Sequence, residues 1–324
     1  MNLRALFLIT SLHTFSFCAF STAAVPLQTA VPVVSPKKSQ GDISSLREKA
    51  QGGDAGAEYL LGRAYMTGTG VSRNYAEAAK YYRQAAAQNS SDAEFSLGYL
   101  YEQGKGVPRD YRQAVAYYSA AARQGHLTAA NNLGSMYENG RGVPRNPREA
   151  WHWYRVAAER GDVTAQCNLA SLYFRGNGVA RDYPQAANWF REAAERGYSP
   201  AQENLAWMYF TGTGVPLDYS RAAHWVQVAA HKGFVRAQLD VGYLYEIGKG
   251  VPLDYVAAYS WYKAAAAGGE ERAGSRLKNL SALMTKEQIS QADTAAVQLS
   301  RSLPKVDETA ATQPIGSLFF VSRK

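Results

Sequence analysis

The chain has 324 residues, 46% of them hydrophobic, with a formal net charge of +8 and a pI near 9.3. This apolar content is enough for a continuous core, and the basic residues are spread along the chain rather than massed in one run, which argues against a nucleic-acid arm. Length alone suggests about two domains of roughly 150 residues, but a strict 36-residue period overrides that expectation.

Residues 1–24 read as a secretory signal peptide. Arg4 gives a positive start, Ala5 to Phe20 is mainly apolar, and Ser21-Thr22-Ala23-Ala24 offers small residues for cleavage. The apolar run is too short, and too interrupted by Ser and Thr, for a membrane span of about 20 residues. Phe17 before Cys18 disfavours lipid attachment. Once the leader is removed Cys167 is the only cysteine, so no intramolecular disulfide is available to the mature chain, and Cys167 is expected to be a small, partly buried residue. Residues 25–42, with Pro26, Pro32 and Pro36, read as a flexible linker. Residues 43–53 form half a repeat, with Ala50 and Gly53 in register with Ala86 and Asn89, and are expected to be a lone capping helix.

Six copies of one pattern then fill 54–269. The second glycine of a G-x-G-V turn falls at Gly70, Gly106, Gly142, Gly178, Gly214 and Gly250. A unit of this length cannot bury its own apolar face and must stack on its neighbours. Ala57, Leu61 and Tyr65, and their copies such as Ala129, Leu133 and Tyr137, lie four apart and form one stripe of a first helix. Small residues beside the leucine, Gly62, Gly98, Gly134, Ala170, Ala206 and Gly242, predict close approach of a neighbouring helix. The glycines of the turn permit positive backbone angles, and the chain reverses there.

A second helix is expected to open at Asn74, Asp110, Asn146, Asp182, Asp218 and Asp254. Glu77, Gln113, Glu149 and Gln185, three residues on, are expected to close capping boxes. The ring of this helix is placed at the Tyr81 and Trp189 position, and Gly125, Gly161, Gly197, Gly233 and Gly269 end it. Residues 270–302 read as capping helices, the second starting at Thr285 with Gln288. Residues 303–324 read as a flexible tail whose Leu318-Phe319-Phe320-Val321 is its one apolar patch.

Alanine, leucine, tyrosine, G-x-G-V, Asp, the aromatic residue and the double alanine recur in that order, and together they resemble the Sel-one-like repeat family, a subgroup of tetratricopeptide-like helical repeats. The likeness covers roughly 43–300, with Asn at Asn74 and Asn146, Val241 for leucine, and Leu217 and Leu253 for arginine as departures. It implies an all-α, right-handed α/α superhelical solenoid of six helix-turn-helix repeats with a concave groove, serving as an adaptor for protein assembly. Exported bacterial members of the family are tied to envelope signalling, polysaccharide export or host interaction.

No catalytic constellation emerges. The Tyr65 and Trp189 series are expected to be core rather than ligand cages. The glycine turns follow no strand and carry no G-K-S/T, so they are not phosphate loops. His126, His152, His224 and His231 have no cysteine or acidic ligand at metal spacing, and no cofactor or metal is implied. What varies at fixed register is more informative. Opposite the stripe, stacking is expected to align Phe95, Tyr99, Asn132, Ser135, Asn168, Ser171, Asn204, Trp207, Asp240 and Tyr243, an amide ladder flanked by rings that suits an extended peptide or a sugar chain. Arg73, Arg109, Arg145 and Arg181 are expected to form a basic edge that could meet an anionic envelope polymer. The expectation is an exported, non-catalytic scaffold, periplasmic or secreted, holding a protein or peptide in its groove. It has no nucleic-acid partner and no transmembrane span after leader cleavage. The alternatives are a peptidoglycan- or exopolysaccharide-binding envelope protein and, last, a cell-wall-directed hydrolase, which has no assembled acid/base set behind it.

Overall fold

The computed structural model describes residues 40–304. The expected leader, nearly all of the linker and the apolar patch of the tail lie outside the described residues. Those described form fifteen α-helices and no strand. The first helices of the six copies are α2 (Ala55–Thr67), α4 (Ser91–Gln103), α6 (Leu127–Asn139), α8 (Val163–Arg175), α10 (Ser199–Thr211) and α12 (Val235–Ile247). The second helices are α3 (Tyr75–Ala87), α5 (Tyr111–Arg123), α7 (Pro147–Ala158), α9 (Tyr183–Glu195), α11 (Tyr219–His231) and α13 (Tyr255–Ala267). A lone α1 (Gln40–Gln51) precedes the array, and α14 (Glu271–Ser281) and α15 (Lys286–Ser302) follow it.

The described residues divide into two compact units, 40–181 and 182–304. In the first, α1 to α7 each pack on the next helix in the chain. In the second, α9 to α13 do the same and α15 folds back onto α13. The leucines of the stripe, Leu61, Leu97, Leu133, Leu169 and Leu205, are fully buried beside the alanines four residues before them. Cys167, on α8, is fully buried.

In five of the six copies the turn is closed by the backbone. The cap residue at the start of the second helix gives its own N–H to the carbonyl of the stripe tyrosine: Asn74 to Tyr65 at 2.8 Å, Asp110 to Tyr101 at 3.0 Å, Asn146 to Tyr137 at 2.9 Å. This corrects the expected capping boxes. Asn74, Asp110, Asn146, Asp182, Asp218 and Asp254 do accept amide protons of the first helical turn. At Asn74, Asp110 and Asn146 the N–H that a reciprocal Glu or Gln would accept is already donated across the hairpin, and among the described residues the box closes only at Thr285 and Gln288 of α15. The second glycine of the turn does more than permit a positive φ of 72° at Gly142. A Cβ there would collide with the backbone of Tyr111, at the start of the second helix of the preceding copy. The turn of one copy thus rests on the chain of the one before.

In α3, α5, α7 and α9 the buried ring lies one residue later than the sequence suggests, while in α13 Trp261, at the expected place, is buried together with Tyr262. Tyr82, Tyr118, Tyr154, Phe190 and Tyr262 are 2% exposed or less. Tyr81, Tyr117, Trp153, Trp189 and Trp225 are only half-buried. Two of these half-buried tyrosines stack on the tyrosine stripe, Tyr65 on Tyr81 and Tyr101 on Tyr117, each pair with ring centres 5.7 Å apart. The fully buried rings sit over the small residues noted above. A Cβ on Gly62, Gly98, Gly134 or Gly242 would lie 2.6–2.7 Å from the facing tyrosine ring. Where Val226 replaces the tyrosine, the small residue is Ala206.

Candidate functional site

The buried tyrosines carry a hydroxyl into the core, and the residue meeting it changes with it. Tyr118 donates to Glu102 at 2.7 Å and Tyr154 to Glu138 at 3.0 Å; Tyr262 donates to Glu246. The copy with Val226 has Phe210 at the carboxylate position. Burial raises the proton affinity of the Glu102 carboxyl. These pairs belong to the packing inside each copy and not to an open site.

In the unit 40–181, the expected face residues lie on α4, α6 and α8. Phe95 is buried, stacked on His126 with ring centres 4.5 Å apart and tilted against Tyr118. Tyr99 is half-buried and its hydroxyl accepts from Lys105 at 3.0 Å. Asn132 is buried and its side chain lies against the buried Tyr118 hydroxyl. Asn168 reaches Asn131 at 2.9 Å, so the rung between neighbouring copies joins different asparagines from those expected. Ser171 is buried and returns its hydroxyl to the Cys167 carbonyl at 2.9 Å, and Ser135 accepts from Asn139. Beside them Glu138 holds Arg175 of the next copy at 3.2 Å.

In the unit 182–304, Asn204 and Trp207 lie on α10, and Asp240 and Tyr243 on α12. Asn204 is buried with its Nδ2 unbonded, Trp207 and Tyr243 are half-buried, and Asp240 is fully buried. The Arg276 guanidinium lies 5.2 Å from the centre of the Tyr243 ring. Half of the ten residues expected to face a ligand are therefore buried in the chain itself: Phe95, Asn132, Ser171, Asn204 and Asp240.

Sequence reasoning missed Glu203 and Arg236, the neighbours of Asn204 and Asp240. Glu203 is 2% exposed, and neither carboxyl oxygen has a hydrogen-bond partner. Burial, with the Asp240 charge adding to it and Arg236 opposing it, raises its pKa to about 8. Arg236 keeps Nε and Nη1 buried and unbonded, and burial lowers its proton affinity. Beyond it Arg272 clasps Glu270 through two bonds of 2.7 and 2.9 Å. A signal existed in the register. The sibling residues of Glu203 are Tyr59, Phe95, Asn131, Cys167 and Leu239, none of them charged.

Arg73, Arg109, Arg145 and Arg181 are all exposed at the ends of their turns, all in the unit 40–181. Arg145 is braced by the Glu138 carbonyl at 3.0 Å and by Asn177 at 3.4 Å. The middle residue of the turn adds further cations over the tyrosine that starts the preceding second helix. Lys105 lies 5.7 Å from Tyr75 and Arg141 lies 6.0 Å from Tyr111, while Lys249 in the other unit lies 4.3 Å from Tyr219. His126 caps α6, and burial lowers its proton affinity. His152 and His224 pack edge-on to Trp153 and Trp225, and His231 packs edge-on to Trp261. Among the described residues no group of three or more His, Cys, Asp or Glu is placed to hold a metal, and no helix is long and apolar enough to cross a membrane.

The Sel1 repeat model matches six times, at 55–90, 91–126, 127–162, 163–198, 199–234 and 235–270. A Sel1 repeat protein from Oxalobacter formigenes is 31% identical, covering 71% of this chain and 94% of its own, with a TM-score of 0.65. A protective antigen of uropathogenic Escherichia coli strains, displaying the same repeat fold, is 26% identical over 81% of this chain and 80% of its own, with a TM-score of 0.44. No curated protein matches. Sel1 repeat proteins are generally non-catalytic scaffolds that bind other proteins. With six consecutive matches laid over the helix pairs described above, the chain belongs to the Sel1 repeat family.

Proposed function

We propose that the chain is an exported, non-catalytic scaffold that binds a partner protein or peptide along the faces of its first helices. The observation that carries this reading is the unused hydrogen-bonding capacity on those faces. Asn204 buries an Nδ2 with no acceptor on the helix that also carries the half-buried ring of Trp207. An unsatisfied buried amide costs about 1–3 kcal/mol, and an extended peptide offers carbonyls that would remove that cost. Cross-linking in the native compartment, followed by mass spectrometry, tests it. Trp207→Ala with Tyr243→Ala is expected to abolish capture of the partner seen with the parent chain, and unchanged capture overturns the reading.

Export, to the periplasm or beyond the cell, rests on residues 1–24, and the expected N-terminus of the mature protein lies just after Ala24. N-terminal sequencing of the native protein checks this, and an intact Met1 refutes it. A second reading is favoured by the exposed arginines of the turns, which with Lys105 and Arg141 present a basic edge to an anionic envelope polymer. It requires co-sedimentation with purified cell wall that disappears as salt is raised.

A further inference from the structure

Tyr209, on α10, belongs to the tyrosine stripe of the first helices and is buried. Two arginines from the flanking second helices bear on its hydroxyl. Arg221 of α11 donates to it through Nη1 at 3.3 Å, with the guanidinium 5.5 Å from the ring centre. Arg191 of α9 brings a second hydrogen bond and a second charge. Burial pushes the Tyr209 pKa up, yet the two guanidiniums together outweigh it and hold the hydroxyl below its ordinary value. Two like charges thus meet at one neutral oxygen, which compensates neither. Among the described residues the one carboxylate paired with either arginine is Asp218, whose Oδ2 lies 3.3 Å from Arg221 Nε while its Oδ1 caps α11. Arg191 gives its Nη1 to the neutral Asn188 at 3.0 Å. Arg191, Arg221 and Asp218 therefore carry one net positive charge. The Arg221 side chain is 67% exposed and Arg191 is half-exposed, so both cations stand at the surface. The arrangement occurs once. At the register of Arg221 the other copies carry Glu77, Gln113, Glu149, Gln185 and Ala257, and the sibling tyrosines Tyr65 and Tyr101 each take a bond from one arginine only, Arg47 and Arg83.

We propose that Arg191 and Arg221 form a clamp for the carboxylate of an acidic side chain on a partner protein, with the Tyr209 hydroxyl holding the two guanidiniums together. The clamp is built from second helices and does not depend on the reading that a peptide lies along the first helices. A guanidinium carries more donors than the bonds above use, and a carboxylate offers one oxygen to each of the two. A single negative charge brings the cluster to neutrality. A phosphate dianion fits less well on two counts. It would overshoot that balance beside Asp218, and its further oxygens need donors that the cluster does not supply, since the Arg221 amide at the start of α11 is already given to Asp218. The cation at position 221 is what separates this copy from its siblings, where a glutamate or glutamine in the same place leaves the stripe tyrosine without a second guanidinium.

The test uses the full chain at low salt and three probes: the blocked pentapeptide acetyl-Ala-Ala-Glu-Ala-Ala-amide, its counterpart with glutamine in place of glutamate, and inorganic phosphate. Nuclear magnetic resonance follows the Nε–H signals of the arginines and the Cζ signal of Tyr209, the latter assigned with Tyr209→Phe. The glutamate peptide is expected to move the Arg191 and Arg221 signals and to bind about fivefold or more tightly than the glutamine peptide. It is also expected to raise the Tyr209 pKa, because the bound carboxylate offsets the positive charge that holds it down. Arg221→Gln installs the residue type that stands at Gln113 and Gln185, and Arg191→Gln the type that stands at Gln227, so the fold accommodates both. In either variant the preference for glutamate and the response of Tyr209 are expected to vanish together. Should a variant fail to fold, the comparison of the two peptides on the parent chain still decides. Equal binding of the two peptides, an unchanged Tyr209 pKa with the glutamate peptide bound, or tighter binding of phosphate overturns the clamp. Absence of binding at about tens of millimolar glutamate peptide overturns it as well. None of these results touches the first-helix face, which stands or falls on the Trp207 and Tyr243 cross-linking result.

Discussion

At the residue scale, the protein is governed by how tightly small residues meet large ones. Gly134 faces the Tyr154 ring, with a Cβ position 2.7 Å from it. Gly134→Ala is therefore expected to destabilise by about 1–3 kcal/mol through overpacking, read as a lower urea midpoint with an unchanged slope. Gly274, in α14, has nothing within 4 Å of its Cβ position, and Gly274→Ala is expected to stabilise by about 0.5–1 kcal/mol. Glu203 gives a pH signature. Its pKa of about 8 in the fold lies above the ordinary carboxyl value of 4.5, so between those values the folded chain binds more protons than the unfolded one. The contribution of Glu203 is fully present below about pH 4.5 and is lost as pH rises toward 8, with a slope on the order of 1 kcal/mol per pH unit. Urea unfolding from pH 5 to pH 8 should show the difference between the parent chain and Glu203→Gln shifting in favour of the variant as pH rises. A constant difference would refute it. Periodicity found the stripe of Ala57, Leu61 and Tyr65 but set the second-helix ring one position early. Adjacent residues on a helix differ by only about 100°, and Tyr81 and Tyr82 are both tyrosine. The chemistry of Glu203 was hidden for a different reason: a charge that occurs in one copy only has no period.

At the scale of the element, the cap residues of the second helices serve two structures at once. Asp110 accepts the amides of Arg112 and Gln113 at 2.8 and 3.1 Å while its own N–H closes the turn onto Tyr101. Asp110→Ala removes only the side-chain part and is expected to cost about 0.5–2 kcal/mol, with faster hydrogen exchange in the first turn of α5. The start of each second helix was legible because Asn or Asp stands there in every copy. The missing capping boxes were not legible, since the spacing of Asn74 and Glu77 is correct and only the hairpin bond to Tyr65 removes the shared donor. The amide ladder was half-legible for a similar reason. The asparagines recur on the first helices, but whether Asn168 meets Asn131 or Asn132 depends on how neighbouring helices are rotated, which a repeat pattern does not encode.

At the scale of the whole molecule, stability is built from neighbour to neighbour. α15 shields the last copy: the Ser260 hydroxyl meets the Ala292 carbonyl at 3.0 Å, Lys263 pairs with Asp293 at 2.7 Å, and Leu299 and Leu303 pack against the core cluster that includes Trp261. A chain ended after Met284 is expected to lose hydrogen-exchange protection in α13 and α14 while α2 to α6 keep theirs. Uniform loss along all helices would show a single cooperative block instead. The contact of Gly142 with the backbone of Tyr111, and its counterparts, has a consequence for descent. Duplication or loss of a complete 36-residue segment preserves every such junction, whereas an insertion of one residue within a segment puts the next turn out of phase with its support. Lineages of this chain are therefore free to change in copy number and are held fixed in frame.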